Sequence, residues 1–295
     1  MTQSVMARLR AMGNDFTPAQ ILATRELYAP LVARPGDVGA IVERDASYGP
    51  DPRQKLDVFH RGDTDGQRAV VVFAHGGGFI MGDKGAAEAP FFNNFGAWAV
   101  RAGFVGVTMT YRLAPAHPWP SGSADVDGVV HWLAANAHRY GGSARRIVLT
   151  GTSAGATHIA GYFAGHGRAA ADHTQVAGAA LFSGLYKFGR DDNDAKHEAY
   201  FGPDLDLRAG FSTVDTLARL KTPCLFTLNE NDPPAWHRQV AVLTEACVNA
   251  TGRCPRLLYL DGHNHVSNLM QLSSPGDTLG EPLARFVRQC TGLEA

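Results

Sequence analysis

Apolar residues fall along this chain in two rhythms. Near-continuous apolar runs recur at Ala69–Ala74, Phe104–Tyr111, Ile147–Thr150, Ala177–Phe182, Cys224–Leu228 and Leu257–Leu260. Runs of that length, bounded by Gly, Pro or polar clusters, predict strands buried on both faces. Two earlier segments, Ile41–Ala46 and Lys55–Phe59 with Leu56 and Val58 alternating, read as strands of a more open kind. Helical spacing fills the intervals at 125–140, 155–165, 236–249 and 279–289. Residues 17–33 predict a further helix, with Thr17 as its cap, Pro18 in its first turn, and Ile21, Leu22, Leu27 and Leu31 on one face. Pro35 and Gly36 end it.

Two open strands followed by strand–helix alternation imply an α/β architecture: a mostly parallel eight-stranded sheet with helices on both faces. No internal repeat or low-complexity linker interrupts it. Residues 1–295 are therefore read as a single domain, with an N-terminal helical segment at 1–36. The segment from Lys187 to Lys221 breaks the pattern. It is polar and irregular (Arg190, Asp191, Asp192, Asn193, Asp194) and sits between two core strands, as a short lid over a site would.

Composition narrows the partners. The chain is 45% hydrophobic and 19% charged, with a net charge of −1 and no dense Lys/Arg block. It can bury a core, and nothing recommends nucleic acid. No window holds 18 consecutive apolar residues, and Met1–Phe16 carries Arg8 and Arg10 but no apolar run, so neither a membrane span nor a signal peptide is expected. The four cysteines (Cys224, Cys247, Cys254, Cys290) show no metal-type spacing, and free thiols of a cytoplasmic protein are expected, a Cys247–Cys254 bond being the alternative. No metal or cofactor is called for. Oligomeric state is left open, a homodimer included.

Two glycine-rich turns carry candidate chemistry. Gly151-Thr152-Ser153-Ala154-Gly155 directly follows an apolar strand and precedes a helix. That context suits a strained turn that lifts a serine hydroxyl above the N-terminus of the next helix, where N–H groups and the helix dipole favour a developing oxyanion. The alternative is an ordinary turn with a capping serine. His75-Gly76-Gly77-Gly78-Phe79 follows another strand, and its glycines leave backbone N–H groups accessible to one anionic oxygen. A phosphate loop would end in Lys-Ser or Lys-Thr, and none follows.

A serine nucleophile needs an imidazole base and an acid to orient it. In chain order the candidates are Asp232 or Glu230, after the strand ending at Leu228, then His263 or His265, after the strand ending at Leu260. His60, His117, His131, His138, His158, His166, His173, His197 and His237 read as surface or packing residues.

His75–Phe79, the stretch Tyr111–Pro120 and Gly151–Gly155 together resemble the hormone-sensitive-lipase-like carboxylesterases, and equally the bacterial feruloyl-esterase-like and kynurenine-formamidase-like hydrolases. The resemblance spans roughly residues 40–290. It implies the α/β-hydrolase fold, a Ser153–His265–Asp232 triad, and oxyanion donors at the N–H groups of Gly77, Gly78 and Ala154. Ala116 is neutral where the family usually carries an acid, with Asp125 and Asp127 available in the helix that follows. The implied activity is hydrolysis of small soluble carboxylic esters. An amidase of the formamidase kind would use the same triad, and a non-catalytic binding protein is the alternative of another class. Phe79, Met81 and Tyr186 are the expected pocket residues.

Overall fold

A computed structural model describes residues 2–63, 66–167, 174–189 and 194–293. All eight strands that the apolar runs predict are present: β1 (Ile41–Ser47), β2 (Lys55–His60), β3 (Arg68–Ala74), β4 (Val105–Met109), β5 (Gly142–Thr152), β6 (Val176–Phe182), β7 (Cys224–Asn231) and β8 (Arg256–Asn264). They form one sheet in the order β1-β2-β4-β3-β5-β6-β7-β8. β1 and β2 run antiparallel to their neighbours, and the strands from β4 to β8 pair in parallel. The helices are α1 (Thr2–Met12), α2 (Pro18–Tyr28), α3 (Asn93–Arg101), α4 (Ser121–Asn136), α5 (Ala154–Phe163), α6 (Ala195–Phe201), α7 (Leu205–Ala209), α8 (Val214–Arg219), α9 (Pro234–Thr251), α10 (Ser267–Met270) and α11 (Gly280–Thr291).

The central strands show why their sequences lack a polar face. In β3, Val70, Val72 and Ala74 enter a core with α4 and α5, while Ala69, Val71 and Phe73 enter a second core with α3 and α11. β5 and β6 divide their residues in the same alternating way. Each strand buries both sets of side chains, so polar residues are excluded from both. β3 lies between β4 and β5. The loops leaving β3 and β5 therefore diverge at the carboxyl edge, where open α/β sheets form their sites.

Thr17 caps α2 through its hydroxyl and Pro18 opens it, as expected. The helix ends at Tyr28, however, and its buried face is Thr24, Leu27 and Tyr28, while Leu22 is exposed. The segment 187–221 also differs from the loop expected. It contains α6, α7 and α8, and it buries Tyr200, Phe201, Val214 and Leu217. Its first and second helices begin at Asp194 and Asp204, whose carboxylates cap them. The polar look of this stretch comes from caps and outer faces around a few buried aromatic anchors. Arg190–Asn193, which shaped the reading of a lid, and His173 lie outside the described residues.

Candidate active site

Ser153 closes β5 and opens α5 with φ 53° and ψ −120°, a conformation non-glycine residues rarely adopt. Its flanking glycines show what holds it there. A Cβ on Gly151 would stand 2.6 Å from the Gly155 carbonyl carbon, and one on Gly155 would stand 2.6 Å from the His75 carbonyl oxygen. Only hydrogen at both positions lets the turn close against itself and against the end of β3. The Ser153 N–H donates to the Phe182 carbonyl (2.9 Å), and the Ser153 carbonyl accepts from Thr157 N (3.1 Å). The elbow is thus fastened to β6 on one side and to its own helix on the other.

The His75–Phe79 loop lies alongside. Gly76 faces the nucleophile, since a Cβ there would lie 3.3 Å from Ser153 Cβ. Gly77 (φ 137°), Gly78 (φ 58°) and Phe79 (φ 70°) occupy positive-φ backbone. The Gly77 carbonyl accepts from the Ile80 and Met81 N–H groups. Tyr111 holds the loop from below. Its hydroxyl donates to the His75 carbonyl (2.7 Å), and its ring stacks on His75 at 4.2 Å between centroids. Burial lowers the His75 pKa to about 4, so the ring is neutral. His158 is held neutral in the same way, with a pKa lowered to about 3 by burial and then by His75. It fills the space between Tyr111, Phe79 and Tyr200, a packing role.

At the ends of β7 and β8 the acid and the imidazole meet. His265 Nδ1 is 2.7 Å from Asp232 Oδ1. The carboxylate also accepts from Ser183 Oγ (2.7 Å), Asn229 N (2.8 Å) and Asn229 Nδ2 (3.1 Å). Burial pushes the Asp232 pKa up, but hydrogen bonding and charge attraction from His265, with the Asn229 and Ser183 donors, outweigh it and hold the carboxyl below its usual range. His265 Nε2 is buried and has no hydrogen-bond partner among the described residues. The rivals are engaged elsewhere. Glu230 accepts from Gly262 N (2.5 Å) and faces Arg10. His263 pairs with Ser267 Oγ (3.0 Å) and Thr278 Oγ1 (3.3 Å), and burial lowers its pKa to about 4.

Two of the expected pocket residues are buried. Tyr186 is 1% exposed and packs edge-on against Phe226 beneath the site, so its side chain has no open face for substrate. Phe79 is likewise 1% exposed, stacked on Tyr200 at 4.6 Å inside the aromatic anchor of the 187–221 segment. Met81, by contrast, is 57% exposed. The side chains that do flank the site include two missing from the expected pocket. Lys196 of α6 lays its stem over Gly78, with Cδ 2.8 Å from where a Cβ would stand. Phe16 sets its ring on His265 at 4.7 Å. Neither has a local signal in the sequence, because each is brought to the site only by the fold. Surface clefts of about 340 and 560 Å³ lie along α8, lined by Asp215 and Arg219, and include none of Ser153, Asp232 and His265.

The acid near the loop is also settled. Asp125 is buried and accepts from Arg112 N (2.7 Å), Arg112 Nε (2.9 Å) and Gln54 Nε2 (2.8 Å). It secures the Tyr111–Pro120 stretch, while Asp127 contacts His131.

Comparison with known proteins agrees with this fold. Esterase B from Lactobacillus rhamnosis superposes with a TM-score of 0.72 at 18% identity, covering 98% of this chain and 96% of that one. The chain has the α/β-hydrolase fold. A family model described as BD-FAE matches residues 56–179, the part of the chain that holds the glycine loop and the elbow. Mycobacterium tuberculosis esterase LipC is 35% identical over 37% of the chain, and esterase LipQ from the same organism is 28% identical over 77%. The chain spans 26% of LipC and 58% of LipQ. The likeness to hormone-sensitive-lipase-like esterases read from the motifs is borne out by these relatives. No helix among the described residues is long and apolar enough to cross a membrane. All four cysteines are free thiols, Cys247 buried and Cys254 exposed.

Proposed function

We propose that this α/β-hydrolase is a carboxylesterase acting on small soluble esters through a serine acyl-enzyme. The observation that carries the reading is the Asp232–His265 pair at 2.7 Å, with Nε2 buried and without a hydrogen-bond partner among the described residues, at the same sheet edge as the strained Ser153 elbow. An aspartate on Nδ1 fixes the tautomer that leaves Nε2 able to accept a proton. Ser153 Oγ attacks the ester carbonyl carbon, and its proton passes to His265 Nε2. The carbonyl oxygen becomes an oxyanion held by the N–H groups of Gly77, Gly78 and Ala154. The C–O bond then breaks, the alcohol leaves with the proton from His265, and water repeats the sequence to release the acid. The names of LipC, LipQ and esterase B support ester chemistry. Parallel assays with phenyl butyrate and N-formylkynurenine test the proposal. Ester turnover well above amide turnover is expected, and the reverse would make the chain a formamidase.

A further inference from the structure

In the proposed reaction His265 Nε2 gives its proton to the leaving alcohol. The alcohol half must then lie within hydrogen-bond reach of that nitrogen, and so against whatever flanks the imidazole. Two rings do. Phe16 meets His265 edge-on at 4.7 Å and 76°, and Trp236 lies tilted at 4.4 Å and 53°. Phe16 and Trp236 also meet edge-on at 5.9 Å, so the imidazole sits in an aromatic corner closed by Asp232.

Phe16 arrives from the turn between α1 and α2, and that turn is tied down. Gln20 Nε2 donates to the carbonyls of Met12 and Gly13, both at 2.9 Å, and Thr17 caps Gln20 N. The same two helices grip the loop that bears His265. Asn264 Nδ2 donates to the buried Thr24 hydroxyl (3.0 Å), and Arg10 pairs with Asp261 (2.6 Å). The ring is therefore held in place relative to the imidazole. Yet Phe16 remains 40% exposed, so part of its ring is left free to meet a ligand.

We infer that Phe16 is a positioning residue for His265 and, with Trp236, the apolar wall against which the alcohol half of the ester docks. The substrate class that fits is an ester of an aromatic or similarly flat, apolar alcohol. Pairing of such a ring with Phe16 and Trp236 adds the offset or edge-on contacts aromatic groups favour. This rests on Ser153 and His265 being nucleophile and base.

The test compares phenyl butyrate with ethyl butyrate. Both give the same butyryl-enzyme, so the ratio of their kcat/KM values isolates the leaving-group half. Phe16→Ala should lower that ratio about three- to ten-fold, the worth of one ring-on-ring contact. It should also lower kcat on both esters, since a loosened imidazole serves both acylation and deacylation. Phe16→Leu restores bulk against His265 without a ring. It should recover kcat to within about three-fold while the ratio stays low. An unchanged ratio in either folded variant overturns the alcohol wall. An unchanged kcat in Phe16→Ala overturns the positioning role. If Phe16→Ala does not fold, the ratio for Phe16→Leu decides alone. Ser153→Ala is run beside them. Should it stay active, the reading of the site has failed rather than this inference.

Discussion

Replacing Asp232 by Asn changes one oxygen for one NH₂ group in a buried network that donates to the carboxylate from several sides. The carboxylate receives Ser183 Oγ, Asn229 N, Asn229 Nδ2 and His265 Nδ1 at 2.7–3.1 Å. An amide can accept at one position but must present donors at the other. With its oxygen toward Asn229 N, the NH₂ meets His265 Nδ1 and turns it into an acceptor. The imidazole proton then sits on Nε2, which can no longer take the proton of Ser153. A triad in the wrong tautomer loses about 10⁴-fold in kcat, equivalent to about 5 kcal/mol. Stability should suffer less. One charge-assisted network becomes a neutral one, at a cost of about 1–3 kcal/mol. Because the native carboxyl is held below its ordinary pKa, the ionised form stabilises the fold above the unfolded value, and that advantage disappears as pH falls through the lowered one. The stability gap between wild type and variant should therefore narrow in acid. The assay is steady-state hydrolysis of phenyl butyrate beside denaturant titrations, with Glu230→Gln as control, since Glu230 serves the Gly262 N–H and Arg10. Retention of more than about a tenth of wild-type kcat, or a Glu230→Gln loss as large, would refute the reasoning.

Other perturbations separate the parts of the site. His265→Ala should cost about as much kcat as Ser153→Ala, and the double variant little more, because a triad acts as a unit; additive losses in single-turnover kinetics would contradict this. Gly78→Ala should lower kcat about 100- to 1000-fold with little change in KM, by disturbing one oxyanion donor, and full activity would mean the loop is only a turn. Gly77→Ala is a poorer probe, since its Cβ would collide with the Met81 carbonyl and cost stability as well. His75, His158 and His263 are buried with pKa values lowered from 6.5 to about 4, about 3 and about 4. Below pH 6.5 the unfolded chain takes up protons that the native state refuses, so each histidine removes up to about 1.4 kcal/mol per pH unit until its native pKa is reached. Denaturant midpoints measured from pH 7 to pH 5 should fall, and a flat profile would contradict the neutral packing of these rings.

The parts of this molecule that were legible in the sequence are those whose constraint is local. β3, β5 and β6 bury both faces, so their apolar runs stand out against any background. The Gly151–Gly155 elbow needs hydrogen at fixed spacing around Ser153, and that spacing is itself the signal. α3 was missed because it is only nine residues long and opens on Asn93 and Asn94, which read as a loop although both are buried. Asn93 satisfies the carbonyls of Ala86 and Ala89, and Asn94 those of Leu269 and Leu272, partners that local pattern cannot reveal. The helices of the 187–221 segment were hidden by their own caps and polar faces. Tyr186 looked like a pocket residue because it follows β6, but the chain there turns its ring down against Phe226. Phe16 illustrates the opposite failure. Nothing near residue 16 speaks of chemistry, and only the packing of α1 against β8 and of α2 against α10 brings its ring to His265.

The account turns on one covalent event, the attack of Ser153 Oγ on an electrophilic carbonyl or its mimic. Treatment with a fluorophosphonate, followed by proteolysis and mass spectrometry, observes that event without assuming any substrate. The account predicts one phosphonylated peptide, modified at Ser153, with labelling absent from Ser153→Ala and strongly slowed in His265→Ala. An unlabelled protein, a label on another residue, or labelling at an undiminished rate without His265 would contradict it.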